Sequence, residues 1–438
     1  MTAYCGLSYE YIKMVASTDI KFFVHTNNNA PQLQNAYGSM INVLDACLID
    51  GIQIGVVNSL TASGTTVTAT FGAAHNLMQY QVIKITGANQ PEFNGEHRIL
   101  TIPDSSSLTF ELATAPSVPT ATGTITASLP SLGWEKPFSS SNPTGGGKAA
   151  YRSTNLLLPS RPFLRVVDEL DPAYTATYAK YAKVGLVEDM TDIDIMLGVQ
   201  APFDAVNPDK NWVGVGSGTT ATNGWAKWYY ARASAATATS GNNESTVPVN
   251  GNRKWLLVGD GDCFYVVPSV AADTVSNNEY GLVYGFGKFD SLIQNDASNT
   301  FLSSTLNAVA AGGSSTPGTQ TGLANQSANT LIQRKYNQSN TYANAGTIGF
   351  FNTGNFYPGA SNYVSVHNLI LSPVALLETS ETPSVMRGQC KNLRWPLQQE
   401  PYPEMQVFID GDELFIAKKV AVYSSSRGQI VFKIGDMP

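Results

Sequence analysis

Charge is what this 438-residue chain has least of. Only 13% of its residues are Asp, Glu, Lys or Arg, about half the roughly 25% of an ordinary globular chain. Apolar content is unremarkable at 43%, so Ser, Thr, Asn, Gln, Ala and Gly fill the gap. Low charge at normal hydrophobicity excludes a disordered chain, which needs the opposite combination. Twenty-six Lys and Arg face 33 Asp and Glu, for a net charge of −7. That balance excludes an ordinary basic nucleic-acid binder, and the sparse charge excludes a surface laced with ion-pair networks.

Cysteine is scarce too. Cys5, Cys47, Cys263 and Cys390 lie far apart with no CxxC pair, which argues against a zinc knuckle or redox motif and for reduced, buried thiols. The four histidines, His25, His75, His97 and His367, never pair at i+2 or i+4, so no local metal motif exists. No 18-residue apolar run occurs, hence no membrane-spanning segment is expected. The opening residues show no basic stretch followed by an apolar one, so synthesis and folding in a cytoplasm are expected.

Turn residues and strand formers are plentiful. Gly (38) and Pro (23), with abundant Thr, Val, Tyr and Phe, favour β-rich domains. In segment 1–54, Leu33, Tyr37, Met40, Ile41, Leu44 and Leu48 recur at helical spacing, which predicts a helix over 32–49 ended by Gly51 and packed on a sheet. Segment 55–129 carries strand-like runs at 67–71, 81–85, 97–102, 108–112 and 123–127, with Asn94-Gly95 as a type I′ hairpin turn. It reads as a small inserted sandwich or barrel. Segment 130–296 is a central β-rich domain holding five of the six tryptophans, with strands at 163–167, 254–258, 263–267 and 281–285, a hairpin at 259–262 and a long loop over 214–250. Segment 378–438 is a meander of four runs, with turns at Asp410-Gly411 and Arg427-Gly428. The fold class is therefore mainly β and multidomain: sandwich or meander units, one N-terminal helix and a small inserted module.

Segment 297–377 is unusual. Its only charged side chains are Arg334 and Lys335. Interface cores are depleted in charge, so this stretch is expected to be an assembly surface covered by neighbouring subunits.

Chemical motifs fail one after another. Gly145-Gly-Gly-Lys148 lacks the first Gly and the hydroxyl of a phosphate loop and reads as a flexible loop. Gly214-Val-Gly-Ser-Gly218 has no βαβ unit around it. Glu188, Asp189, Asp192 and Asp194 lack the spacing of a Ca²⁺ loop and read as a solvated turn. No nucleophile elbow is present. No catalytic, cofactor-binding or metal-ligating residue is assigned, no cofactor is expected, and the chain is expected not to be an enzyme. Trp225, Trp228, Tyr229 and Tyr230 form an aromatic cluster that either fills the central core or stacks on a sugar or peptide.

Several segments, in order, resemble a group of tailed-bacteriophage and prophage structural proteins. They are Lys21-Phe-Phe-Val-His-Thr, Gly38-Ser-Met-Ile-Asn-Val-Leu-Asp-Ala-Cys-Leu-Ile-Asp-Gly51, Phe93-Asn94-Gly95-Glu96, Thr122-Gly-Thr-Ile-Thr-Ala127, Gly133-Trp-Glu-Lys-Pro-Phe138, Ala150-Tyr-Arg-Ser153, Leu164-Arg-Val-Val-Asp168, Met190-Thr-Asp-Ile-Asp194, Tyr284-Gly-Phe-Gly-Lys-Phe289 and Arg387-Gly388. The 55–129 module looks like the Ig-like insertions of phage tail proteins. The resemblance implies a virion component of the tail or tail tip, assembled in the host cytoplasm. Its partners would be copies of itself and other virion proteins, with the host cell surface as a further partner and no nucleic acid. The alternatives are a host-surface adhesin recognising glycans or pili, a head or neck decoration protein, and a surface-polysaccharide hydrolase or lyase.

Overall fold

The computed structural model describes residues 15–217, 224–232, 247–276, 278–306, 323, 330–348, 371–396, 398, 400–423 and 426–437. The chain is mainly β, with 50% of it in strands and 4% helical. Among the described residues there are three antiparallel sheets, of 13, seven and seven strands, and one short α-helix.

The largest sheet takes strands from Lys21–Val24 through to Ser426–Asp436, drawing on segments 1–54, 130–296, 297–377 and 378–438 and on none of 55–129, whose strands form the third sheet. Its strands Trp255–Gly259 and Cys263–Pro268 are buried along their whole length. Their continuous apolar runs follow from packing on both faces. Trp255, Leu257, Phe264 and Val266 point into one core. The alternate residues Leu256, Val258, Cys263, Tyr265 and Val267 point into another. The second core lies inside the curl of the sheet, where Tyr265 meets Phe432 across it at 5.5 Å and donates its hydroxyl to the Lys391 carbonyl.

The second sheet runs from Glu135–Ser141 through Gly146–Arg152, Phe163–Glu169 and Lys180–Asp192 to Ala226–Ala231. One face joins the first core through Tyr151, Leu164, Val166 and Tyr230. The other face is covered by Met190, Ile193 and Trp212. The third sheet, Ile52–Ser63 to Gly123–Leu129, has one wet face. Its strands therefore alternate, with Val67, Ala69 and Phe71 inward.

The helix is Ser39–Leu44, widening into a π-helical turn over Asp45–Asp50. It begins seven residues after the expected start. Gly38 has φ +87, and a Cβ there would meet the Gly146 backbone at 2.9 Å. Leu33 is meanwhile taken by a bridge to Arg253. The end falls where the sequence places it, with Gly51 at φ +76. The wide turn leaves the Cys47 and Leu48 carbonyls to accept from the backbone N–H groups of Leu132 and Trp134. Met40, Val43, Leu44, Cys47 and Leu48 are buried, and the helix contacts the Gly146–Arg152 and Phe163–Glu169 strands.

Three turn assignments differ. Asn94 is extended at φ −79, so Asn94-Gly95 is not a type I′ turn. A 3₁₀ turn at Pro91–Phe93 makes the connection, and the Asn94 side chain both donates to and accepts from the Ala88 backbone. Arg427 and Gly428 lie inside a strand, opposite Ala421 and Val420. Part of the expected 214–250 loop is the fully buried strand Ala226–Ala231, and 218–223 and 233–246 lie outside the described residues. The hairpins at Asp260 to Asp262 and at Asp410-Gly411 form as expected.

The low-charge stretch also changes meaning. Its described strands Thr300–Ser303, Thr330–Ile332 and Ala343–Ile348 are interior strands of the 13-stranded sheet. Burial inside this chain accounts for the lack of charge in these strands. Residues 307–322, 324–329 and 349–370 of that stretch lie outside the described residues.

A buried ionic node ties this part together. Arg387 donates to Glu378 at 2.7 Å, to Asp296 at 2.9 Å and to the Arg334 carbonyl at 2.9 Å, with all three ionic side chains almost wholly excluded from solvent. Removing one member leaves charge buried without a partner. Arg387→Ala should therefore cost about 3–5 kcal/mol, read as a lower urea midpoint at unchanged slope.

Candidate assembly surface

The residues singled out from the sequence mostly serve the interior. Trp228, Tyr229 and Tyr230 are buried. Trp228 stacks on Tyr284 at 5.7 Å and donates to the Ser303 carbonyl. Trp225 is half-buried beneath the Lys210 ammonium. The cluster is core, so an exposed aromatic platform is not what these residues form.

Gly146 to Lys148 belong to a strand, and only Asn142 to Gly145 turn. The expected flexible loop is thus a tight hairpin. The carboxylates at 188–194 sit at the end of a hairpin and are spent separately. Glu188 pairs with Arg334 at 2.8 Å, and Asp194 with Lys148 at 2.8 Å and Arg165 at 2.5 Å. Cys47, Cys263 and Cys390 are free thiols sealed in the core, where burial raises their pKa values. Cys5 lies outside the described residues.

Sequence reasoning missed two buried acids. Asp168 takes hydrogen bonds from the backbone N–H groups of Met40 and Ile41 at 3.0 and 3.4 Å and from the Tyr230 hydroxyl at 2.6 Å. It anchors the helix start to two strands of the second sheet. Burial outweighs these donors and lifts its pKa to about 6. Asp171 meets Lys183 at 2.6 Å, both buried, and also accepts from Gly214 N–H and Ala173 N–H. Burial lowers the Lys183 pKa, and Asp171 works against that fall. Every oxygen of these two acids has a donor, which marks them as struts. Nothing in the apolar spacing of either segment announces such a partner.

The exposed features are strand edges. Among the described residues, Glu135–Ser141, Ile195–Ala201 and Val407–Asp410 each pair on one side only. A one-sided strand presents unpaired N–H and C=O groups and is a template for another chain. Ile195, Leu197 and Ile409 stand exposed on two of these edges. Beside the third, Ser139, Ser140 and Ser141 line a polar cleft of about 310 Å³ with Asn42, Asp45 and Lys136. In contrast, the Lys21–Val24 edge is covered. Gln81 donates to the Phe22 carbonyl, and the Arg98 guanidinium to those of Ser17 and Ile20. No helix among the described residues is long and apolar enough to cross a membrane.

No family model matches the chain, and no curated protein matches it. Among solved structures it is similar to "Phage phi92 endosialidase", at 7% identity and a TM-score of 0.14. The alignment covers 88% of this chain and 51% of that one, so this chain spans about half the length of that structure. A TM-score at that level carries no argument about function.

Two outcomes are expected. Asp168 binds its proton more tightly folded than unfolded, so it favours the folded state below about pH 4 and this contribution is lost as pH rises to about 6. The stability difference between wild type and Asp168→Asn should thus change by about 3 kcal/mol across that window and then level off. Denaturant titrations at pH 4, 5, 6 and 7 read it. In a thiol titration of the native protein, Cys47, Cys263 and Cys390 should stay silent until denaturant is added.

Proposed function

We propose that the protein is a structural component of a tailed-phage virion, part of the tail or its tip, that works by self-association and by contacts with other virion proteins. The observation that carries this reading is that the one-sided strands Glu135–Ser141, Ile195–Ala201 and Val407–Asp410 each carry exposed residues. Such edges join chains by adding strands, with main-chain hydrogen bonds supplying affinity. The ordered resemblance of the segments from Lys21 to Gly388 to phage structural proteins supports it. So does the way the conspicuous polar groups are used, since the acids and aromatics singled out above hold the fold together. In this reading the work is burial of interface, the chain turns over no substrate, and it resides in the particle.

Purified particles from the producing host should contain the chain in several copies each, seen by quantitative mass spectrometry and by antibody labelling at one place on the particle. Particles free of the chain would sink the proposal. In solution, Leu197→Lys and Ile409→Lys add a charge at an open edge, where it costs folding little. Each should weaken self-association roughly tenfold, a change of about 1.4 kcal/mol, in sedimentation velocity.

A further inference from the structure

Of the three one-sided strands, Val407–Asp410 is the most regular edge. Glu135–Ser141 carries Pro137, which has no N–H to offer, and its register slips between Ala150 and Arg152 of its partner. Ile195–Ala201 is interrupted by Gly198 in the left-handed region at φ +68, and its register to the Lys180–Asp192 strand shifts twice. Both features break the even row of main-chain groups that an added strand would meet. Val407–Asp410 has neither. It meets Glu413–Tyr423 in unbroken register, contains no Gly or Pro, and leaves Ile409 49% exposed. A strand laid along it would extend the ladder and give Ile409 a cross-strand neighbour.

The described chain begins at the same corner. The carbonyls of Ser17 and Ile20 accept from Arg98 at 2.7 and 3.1 Å. That guanidinium lies against Gly435, where a Cβ would come within 2.7 Å of its Cζ. Gly435 is opposite Leu414, and Leu414 is opposite Ile409. Neighbouring strands are about 4.8 Å apart, so about 10 Å separates Gly435 from the open edge. Ile20 and Val407 pack against one core. Residues 1–14 precede this point and lie outside the described residues. A chain of that length reaches about 45 Å when extended, several times the distance needed. Its composition suits an added strand: Tyr4, Tyr9, Tyr11 and Ile12 are present, Pro is absent, and Glu10 and Lys13 are its only charged side chains.

We infer that residues 1–14 of one copy add as a strand to the Val407–Asp410 edge of a second copy. The inference rests on the self-association reading above and names what one of the edges takes. The occupant is this segment because the chain enters the structure about two strand spacings from the edge, with length to spare. It is a neighbour's segment because the Arg98 guanidinium sits at the Gly435 Cβ position, which projects from the sheet. Ser17 is thus held over the face of the sheet, and its own edge lies across that face and around the rim. A neighbour seated against the face presents its edge without that detour. About a twofold axis the exchange is mutual, each edge filled by the other copy's segment.

Thiol crosslinking tests it, with Cys5 as the native reporter within the segment. Cys47, Cys263 and Cys390 are sealed in the core and do not compete. In the full chain carrying Ile409→Cys, a short bismaleimide should join the introduced thiol to Cys5 and give a covalent dimer on a denaturing gel. Mass spectrometry on a mixture of light and isotope-labelled chains should show the linked peptides coming from different copies, and adding Cys5→Ser should abolish the dimer. A link confined to one chain overturns the inference, as does a dimer that survives Cys5→Ser, or no link at all. In sedimentation velocity, a chain lacking residues 1–14 should lose roughly tenfold or more in self-affinity at unchanged thermal melting, and undiminished association overturns the inference too. A link confined to one chain leaves the virion reading standing, whereas particles without the chain remove that reading whatever the crosslink shows.

Discussion

Where β-sheets meet, backbone carbonyls leave their ladders and need other donors, or a buried acceptor goes unpaired. In this chain the donors at the junctions are guanidinium and ammonium groups. Arg98 holds the carbonyls of Ser17, Ile20 and Tyr80 and so fastens the small sheet to the edge of the large one. Arg253 holds those of Val249 and Gly251, next to the bridge that captures Leu33. Lys183 holds Trp212, and Lys418 holds Glu279. A cation can donate several hydrogen bonds in directions set by its own geometry, which suits irregular backbone. Of these, Arg98 joins two sheets, and all three sheets share one apolar core.

That use of cations reshapes the surface. Among the described residues, nine of the chain's 26 Lys and Arg are buried, against five of its 33 Asp and Glu. The charge left outside is therefore sparse and weighted to acid. A surface with few like charges repels a second copy weakly. The interior strands need no charge, and the buried junction cations thin the charge that remains at the surface.

The legible parts of the fold were those governed by local pattern. The apolar stripe of Met40, Leu44 and Leu48, the alternation in 66–71 and the hairpins at Asp260 and Asp410 are all visible in sequence, because burial on one face or a turn conformation selects residue types at fixed spacing. The candidate surface was legible only in part. Loss of charge marks burial but does not say whether the covering group belongs to the same chain, so 297–377 read as an interface although its described strands Thr300–Ser303 and Thr330–Ile332 are buried within the chain. Trp225 to Tyr230 likewise shows an aromatic cluster without saying which side of a sheet it faces. Asn94-Gly95 carries a strong local turn preference, and the Asn94 side chain overrides it by bonding to Ala88.

By itself the sequence determined that the chain is mainly β, that an N-terminal helix ends at Gly51, and that Cys47, Cys263 and Cys390 are buried thiols. These follow from periodicity and composition, which act over a few residues. Tertiary structure alone decided that strands from Lys21 to Asp436 share a single sheet, that Asp168 and Arg387 are internal struts, and which edges stay open. The reason is that pairing partners hundreds of residues apart are chosen by the joint burial of both faces. No local pattern encodes that choice.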